Sequence, residues 1–232
     1  MNSKDLSKSL RANQGMDSKK DLIRFLAVGD LHGDVERTKK ILEKARKENI
    51  DFLILTGDLT YFDQHPELIG KVLKDCKRPI YFIPGNHDSE LTVEMLYRLF
   101  GLKPFHKGYF IKYYNAFVGF GFATVGPHAK TINEFYEGLN NIFLKLEQKS
   151  GLERIILITH EHPSDTKIDK FTPFFNGNPA IKAIIEKFQP ELHICSHVHE
   201  AENIEDYILN TKIINVARSG KIFEIKLNTK NR

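Results

Sequence analysis

Three features of this 232-residue chain predict an α/β architecture. From residue 22 onward, short apolar runs alternate with amphipathic stretches of helical period, the pattern of strands linked by helices. Several runs are apolar residue after residue, as in strands buried on both faces. No repeat, linker or composition break follows residue 20, so residues 21–232 are expected to form a single domain.

The first strand is "LIRFLAVGD" (22–30), which ends in Gly-Asp. The helix "VERTKKILEKARKEN" (35–49) follows, with Val35, Ile41, Leu42 and Ala45 on one side. "DFLILTGD" (51–58) is a second buried strand, again ending in Gly-Asp. A helix over 65–76, a third strand "PIYFIPGNHD" (79–88) and a short helix near 90–100 come next. "GYFIKYYNAFVGFGF" (108–122) reads as a hairpin turning at Asn115. Helical periodicity with a Gly stop marks 132–151, and "RIILITHEH" (154–162) is a strand ending in histidines. Residues 163–178 form a long loop, and a helix with Pro179 at its start runs to 189. "ELHICSH" (191–197) is the next strand, and 211–227 reads as a hairpin turning at Ser219-Gly220.

A body of this size buries roughly 70% of its unfolded surface, enough for a core without staples. Its 41% hydrophobic and 28% charged content is that of an ordinary globular protein. No run reaches the roughly 18 apolar residues of a membrane span, so no membrane is expected as a partner. The N-terminus has no apolar core of a secretory signal. Cys76 and Cys195 form no C-x-x-C pair, which points to a reducing compartment and a cytoplasmic location. Residues 1–20 hold five basic and two acidic side chains and read as a disordered basic tail. The remainder carries 29 basic against 28 acidic residues, a balance that gives no reason to expect a nucleic-acid partner. Nothing in the pattern speaks to oligomeric state.

Five strands end in side chains able to bind metal: Asp30 and His32; Asp58; Asn86 and His87; His160; His197 and His199. In open α/β sheets ligands bind at the carboxyl ends of strands, so distant segments would deliver these groups to one edge. Residues i and i+2 of an extended segment point the same way, which brings Asp30 with His32 and His197 with His199. Carboxylate, imidazole and amide oxygen together suit zinc, manganese or iron.

"GDLHGD" (29–34), "GDL" (57–59), "GNHD" (85–88), "TH" (159–160) and "SHVH" (196–199) resemble, in order, the five blocks of the calcineurin-like metallophosphoesterases. Small archaeal and bacterial phosphoesterases are the most similar type. The resemblance implies a four-layer α/β/β/α sandwich of two mixed β-sheets flanked by helices, with two divalent metal ions at the strand ends. It implies that Asp30, His32 and His199 hold the first ion and Asn86, His160 and His197 the second, with Asp58 bridging both. It makes His87 the catalytic histidine that binds no metal, and Asp88 the residue orienting it. Two departures stand out. Ser196 replaces the usual Gly before the paired histidines, and His162 replaces the first Pro after His160.

Two cations roughly 3.5–4 Å apart lower the pKa of a shared water and clamp phosphate oxygens. The expected reaction is therefore hydrolysis of a small phosphate ester by a metal-bridging hydroxide, a phosphodiester being favoured over a phosphomonoester. His87 would protonate the leaving oxygen. The alternative is a metal-binding scaffold of the same fold with little or no catalysis, which the full ligand set argues against. A haloacid-dehalogenase-type phosphatase needs D-x-D, and here the first strand ends Asp30-Leu31-His32. The stretch "GFGFATVG" (119–126) lacks the G-x-G-x-x-G spacing of a dinucleotide site. His193 reads as a core or supporting histidine, and His162 as loop surface or as support behind the ligands.

Overall fold

The computed structural model describes residues 21–172 and 176–228, so the tail expected to be disordered over 1–20 lies outside the described residues. Two sheets carry the chain. The first has five strands in the order β11-β1-β2-β3-β4. These are β1 (Leu22–Val28), β2 (Phe52–Leu55), β3 (Ile80–Phe82), β4 (Lys103–Pro104) and β11 (Lys221–Lys226). The second has six strands in the order β5-β6-β7-β8-β10-β9. They are β5 (Gly108–Lys112), β6 (Asn115–Phe120), β7 (Arg154–Thr159), β8 (Leu192–Cys195), β9 (Glu205–Ile208) and β10 (Thr211–Asn215). Both are mixed: β11 runs antiparallel to β1, and β5 and β9 are antiparallel edges on an otherwise parallel sheet.

Alternation along each strand separates the core into three layers. Phe25, Phe52, Phe110, Phe117, Ile156, Ile194 and Ile214 point between the sheets. There Phe117 meets Phe25 and Phe52 edge-on at 5.4 Å and stacks on Phe110 at 4.8 Å. The next residues along, Leu26, Val28, Leu53 and Leu55, point outward under helices α1 (Val35–Lys47), α2 (Pro66–Leu73) and α3 (Glu90–Phe100). On the far side Val118, Phe120, Leu157 and Ile213 pack under α4 (Ile132–Glu147) and α5 (Pro179–Phe188). The result is the α/β/β/α sandwich. Four helix starts are fixed locally: Asp34, Ser89 and Asn178 accept backbone N–H bonds as caps, and Thr131 with Glu134 forms a capping box.

Two sequence expectations are corrected. Residues 211–227 are not a hairpin: β10 lies in the second sheet and β11 in the first, so Ser219-Gly220 carries the chain from one sheet to the other. The antiparallel partner of β10 is β9, which the sequence reading passed over. Its four residues, Glu205–Ile208, alternate too briefly to stand out as a strand. The β5–β6 turn sits at Tyr113 and Tyr114, both at positive φ (45° and 64°), not at Asn115. Asn115 instead begins β6, buried, its side-chain amide donating to the Lys112 and Tyr113 carbonyls and closing the turn from inside.

Phe117→Ala leaves a cavity at the centre of the inter-sheet cluster and should lower unfolding free energy by about 3–5 kcal/mol in urea titration of the metal-free protein. Leu99→Ala, on a side chain 63% exposed, should change it by less than about 0.5 kcal/mol.

Candidate metal centre

The strands that feed the candidate site run parallel within each sheet, and their carboxyl ends lie along one edge. Turns, rather than strand parity, aim the side chains. β1 and β2 stop before their Asp residues, and Asp30, His32, Asp58 and His197 take left-handed φ values of 57°, 45°, 51° and 73°. Asp tolerates that region better than most residues. Asp30, His32 and His197 are therefore not in extended segments, so the i, i+2 expectation does not describe how these side chains are aimed. His197 and His199 diverge within one tight turn, each into a different cluster.

Glycine is required where these turns pass one another. A Cβ on Gly85 would lie 2.0 Å from Asp58 Oδ1, and one on Gly57, at φ 107°, would lie 2.4 Å from His160 Nδ1. The two sheets are stitched together at the same edge. Gly29 N–H donates to the Val216 carbonyl (3.3 Å), and Arg218 N–H donates to the Gly29 carbonyl (3.0 Å). Ser196 Oγ donates to the Thr56 carbonyl at 2.9 Å.

Asp58, 2% exposed, stands at the centre. Its Oδ1 accepts the His87 backbone N–H at 2.9 Å. Its Oδ2 lies 3.4 Å from His160 Nε2, 3.6 Å from His32 Nε2 and 3.8 Å from His87 Nε2. On one side Asp30, His32 and His199 converge, on the other Asp58, His160 and His197, and a third group joins His32, Asp58 and His87. His160 Nε2 is 3.1 Å from Asn86 Oδ1 and 3.2 Å from His197 Nδ1. All seven sequence-predicted ligands thus meet in one place.

The donor set fits cations on three counts. Asp30 Oδ1 is fully buried yet receives no hydrogen bond, an arrangement costly without a positive partner. His32 Nε2 and His199 Nε2 face each other at 3.1 Å, and Asp30 Oδ1 lies 3.4 Å from the latter. Two imidazole lone pairs do not share such a space unless a proton or a metal lies between them. His160 turns its Nδ1 to the Thr56 carbonyl at 2.9 Å, which keeps a proton there and leaves Nε2 facing the centre, where a cation can replace its proton.

Burial alone would neutralise His160, but the adjacent Asp58 charge outweighs it and raises the imidazole pKa above its ordinary value. Burial likewise opposes ionisation of Asp58, yet the surrounding imidazoles hold its carboxyl well below the usual range. His87 and His32 are shifted down, first by burial, with Asp58 partly offsetting it.

The remaining sequence expectations divide. Asp88 does not reach the His87 ring: its carboxylate accepts from the N–H groups of Leu59, Thr60 and Gly85 and from Thr60 Oγ1. Asp88 therefore ties the Asp58 turn to the Asn86 turn, while His87 Nδ1 has no hydrogen-bond partner among the described residues. Its burial and the nearby Asp58 push the Asp88 pKa up to about 6. His162 is not on the loop surface. It is buried and bonds Asp169 Oδ1 at 3.0 Å, and Asp169 in turn accepts from Thr166 and Gly177 N–H and pins the loop after β7. Ser196 keeps its side chain behind His160, 3.1 Å from Nδ1, and does not enter the cluster. His193 is a core histidine bonded to Thr159 Oγ1 at 2.7 Å.

Sequence reasoning missed part of the rim. The cavity over the cluster, about 370 Å³, is also lined by Arg37, Tyr61 and Arg218. Arg218 follows the carboxyl end of β10, which runs parallel to β8, so the edge rule that found the ligands would have found it too. Reading 211–227 as a hairpin hid that end.

A family model for calcineurin-like phosphoesterases matches residues 23–201. An uncharacterized protein of Methanocaldococcus jannaschii is 30% identical over 215 residues, covering 89% of this chain and 94% of that protein. The solved structure of TT1561 of Thermus thermophilus has TM-score 0.65 at 14% identity, covering 89% of this chain and 100% of that one. A dimetal phosphatase from Danio rerio has TM-score 0.62 at 12% identity, covering 90% of this chain and 94% of that one. At such identities structural likeness establishes the fold alone. The family match and the five motif blocks together establish that the chain belongs to the calcineurin-like phosphoesterases. Members of this family are metal-dependent, and the His and Asp clusters are groups that could hold a metal. No helix among the described residues is long and apolar enough to cross a membrane.

Metal competes with protons at these donors. Because the Asp58 charge raises the His160 pKa to about 9, loading manganese there should release a proton, and apparent affinity should rise as pH approaches that value from below. Titration calorimetry in buffers of different ionisation enthalpy reads this directly; metal uptake without proton release would remove His160 from the ligand set.

Proposed function

We propose that the protein is a dinuclear metal-dependent phosphoesterase that hydrolyses small phosphate esters, diesters in preference to monoesters. The observation that carries the reading is the position of Asp58. One carboxylate oxygen lies within 3.8 Å of three imidazoles, and Asp58 belongs to two groups able to hold a metal, one with His32 and His87 and one with His160 and His197, which supports a bridging role. Asp30, His32 and His199 form one half of the ligand set, Asn86, His160 and His197 the other. The fold shared with a dimetal phosphatase supports the same nuclearity.

When bound, two divalent cations (manganese, iron or zinc) supply an activated water and a Lewis acid for phosphoryl oxygens. The chain's own groups do the rest. Of the seven ligands only Asp30 and Asp58 carry negative charge to subtract from that of the cations, so the site stays attractive to an anionic ester. His87 binds no metal in this reading. Its ring is held by Phe62 at 3.8 Å between centroids, and its Nε2 faces the cavity beside Asp58. A neutral imidazole there donates a hydrogen bond from Nε2 to the phosphoryl group or to the departing oxygen. The cavity mouth is open beside Tyr61, which is 50% exposed, and beside exposed Arg218, leaving room for a second ester group. This openness favours the diester.

With manganese added, the purified protein should hydrolyse bis(p-nitrophenyl) phosphate at a higher kcat/KM than p-nitrophenyl phosphate, and chelator should abolish both activities. Absence of turnover on a broad phosphate-ester panel with two metals bound would leave a metal-binding scaffold instead. His87→Ala should lower kcat by about 10²–10⁴-fold while both metals remain by elemental analysis. Loss of a metal in that variant would make His87 a ligand.

A further inference from the structure

Beyond the metal ligands, the cavity has two walls of different chemistry, and neither is used in holding metal. On one side the turn after Asp58 takes Phe62 and Asp63 through positive φ (50° and 58°). A bulky aromatic residue in that region is strained, and such strain persists where a local arrangement is enforced. Here it is enforced from behind: Asp63 N–H donates to the His87 carbonyl (3.1 Å), and Thr60 Oγ1 bonds both that carbonyl and Asp88. The outcome is that two large rings, Tyr61 and Phe62, stand 50% and 42% exposed beside a polar site. Phe62 meets Tyr61 edge-on at 4.8 Å and holds it in the cavity wall, 5.4 Å from the His87 ring.

The other wall carries Arg218, also at positive φ (59°), its backbone N–H fixed to the Gly29 carbonyl. Its side chain is exposed and forms no ion pair with a carboxylate among the described residues; the guanidinium donates to His199 Nδ1 at 2.9 Å. Arg37, the second arginine of the cavity, is already engaged by Asp34 (3.5 Å) and the Asp30 carbonyl (3.3 Å). Of the two cavity arginines, Arg218 is the one with no carboxylate partner among the described residues, and its guanidinium has donors beyond the one facing His199.

We propose that Arg218 and Tyr61 form a two-point recognition device that selects phosphate esters carrying a planar ring, such as a nucleobase. This rests on the phosphoesterase reading above. Arg218 takes non-bridging oxygens of the phosphoryl group, and the exposed face of Tyr61 takes the ring. A volume of about 370 Å³ is near the lower end of small-molecule sites, roughly 300–1,000 Å³, which fits a mononucleotide-sized ester and not a polymer strand threaded through.

The test is equilibrium binding to the manganese-loaded protein with two probes that differ in the base, adenosine 5′-monophosphate and ribose 5-phosphate. Stacking of one base should make the nucleotide bind roughly five- to hundredfold more tightly. Tyr61→Ala should collapse that ratio toward one, and Tyr61→Leu, a second variant in case the first misfolds, should collapse most of it. Arg218→Ala should weaken both probes by the same factor, with partial recovery in Arg218→Lys. Equal affinity of the two probes for the unaltered protein would overturn the proposal without any variant, as would a ratio that survives loss of Tyr61. The two readings fail separately. Base-selective binding without hydrolysis of any ester would sink the phosphoesterase assignment alone, and hydrolysis indifferent to the ring would sink only the recognition device.

Discussion

Asp58 is a carboxylate taken almost wholly out of water, and an isolated charge in that position would cost several kcal/mol. It is tolerable because three imidazoles and a backbone N–H converge on it. Those imidazoles follow the ends of β1, β3 and β7, so both sheets must stop at the same height for the charge to be met. The inter-sheet aromatic cluster around Phe117 and the stitches at Gly29, Thr56 and Ser196 hold the two edges together. Packing in the core and electrostatics at the rim are thus one problem. Opening the sheets by about an ångström would leave the same seven donors present and no longer convergent.

That dependence explains which parts of the molecule were legible in the sequence. Long buried runs such as Leu22–Val28 and Arg154–Thr159 announce themselves, because parallel strands covered on both faces are continuously apolar. The ligands were legible because polar residues at the ends of such runs have no structural reason to be there in every case. Short edge elements were not. β9 has four residues and one buried side chain, so it leaves almost no period to read. The turn around Ser219-Gly220 looks the same whether the chain folds back on its own sheet or passes to the other, since local turn chemistry does not encode which sheet receives the next strand.

Asp88 and His162 show a different limit. Each stands beside or near a residue with a chemical role, and adjacency in sequence suggests a shared task. In the fold, successive side chains of a turn leave in different directions. Asp88 spends its carboxylate on the N–H groups of Leu59, Thr60 and Gly85, binding together the two turns that present Asp58 and Asn86. His162 spends its Nε2 on Asp169, further along the loop. Ser196 follows the same logic: its hydroxyl fills a slot between Gly29 and Thr56 that a glycine would leave open, and it contributes a contact to His160 Nδ1. The departures from the family pattern are absorbed behind the site.

The rim is where the chain retains freedom of sequence. A ligand position is constrained by charge, distance and the close approach of Gly57 or Gly85, so few residues satisfy it. Tyr61 and Arg218 are set by where their backbones stand and by their contacts with Phe62 and His199, in turns that hold residues at positive φ. Both turns also serve the fold: Asp63 N–H binds the His87 carbonyl, and Arg218 N–H binds the Gly29 carbonyl across the two sheets. In the function proposed above, the seven candidate ligands supply the reaction, and these two rim positions govern which ester reaches it.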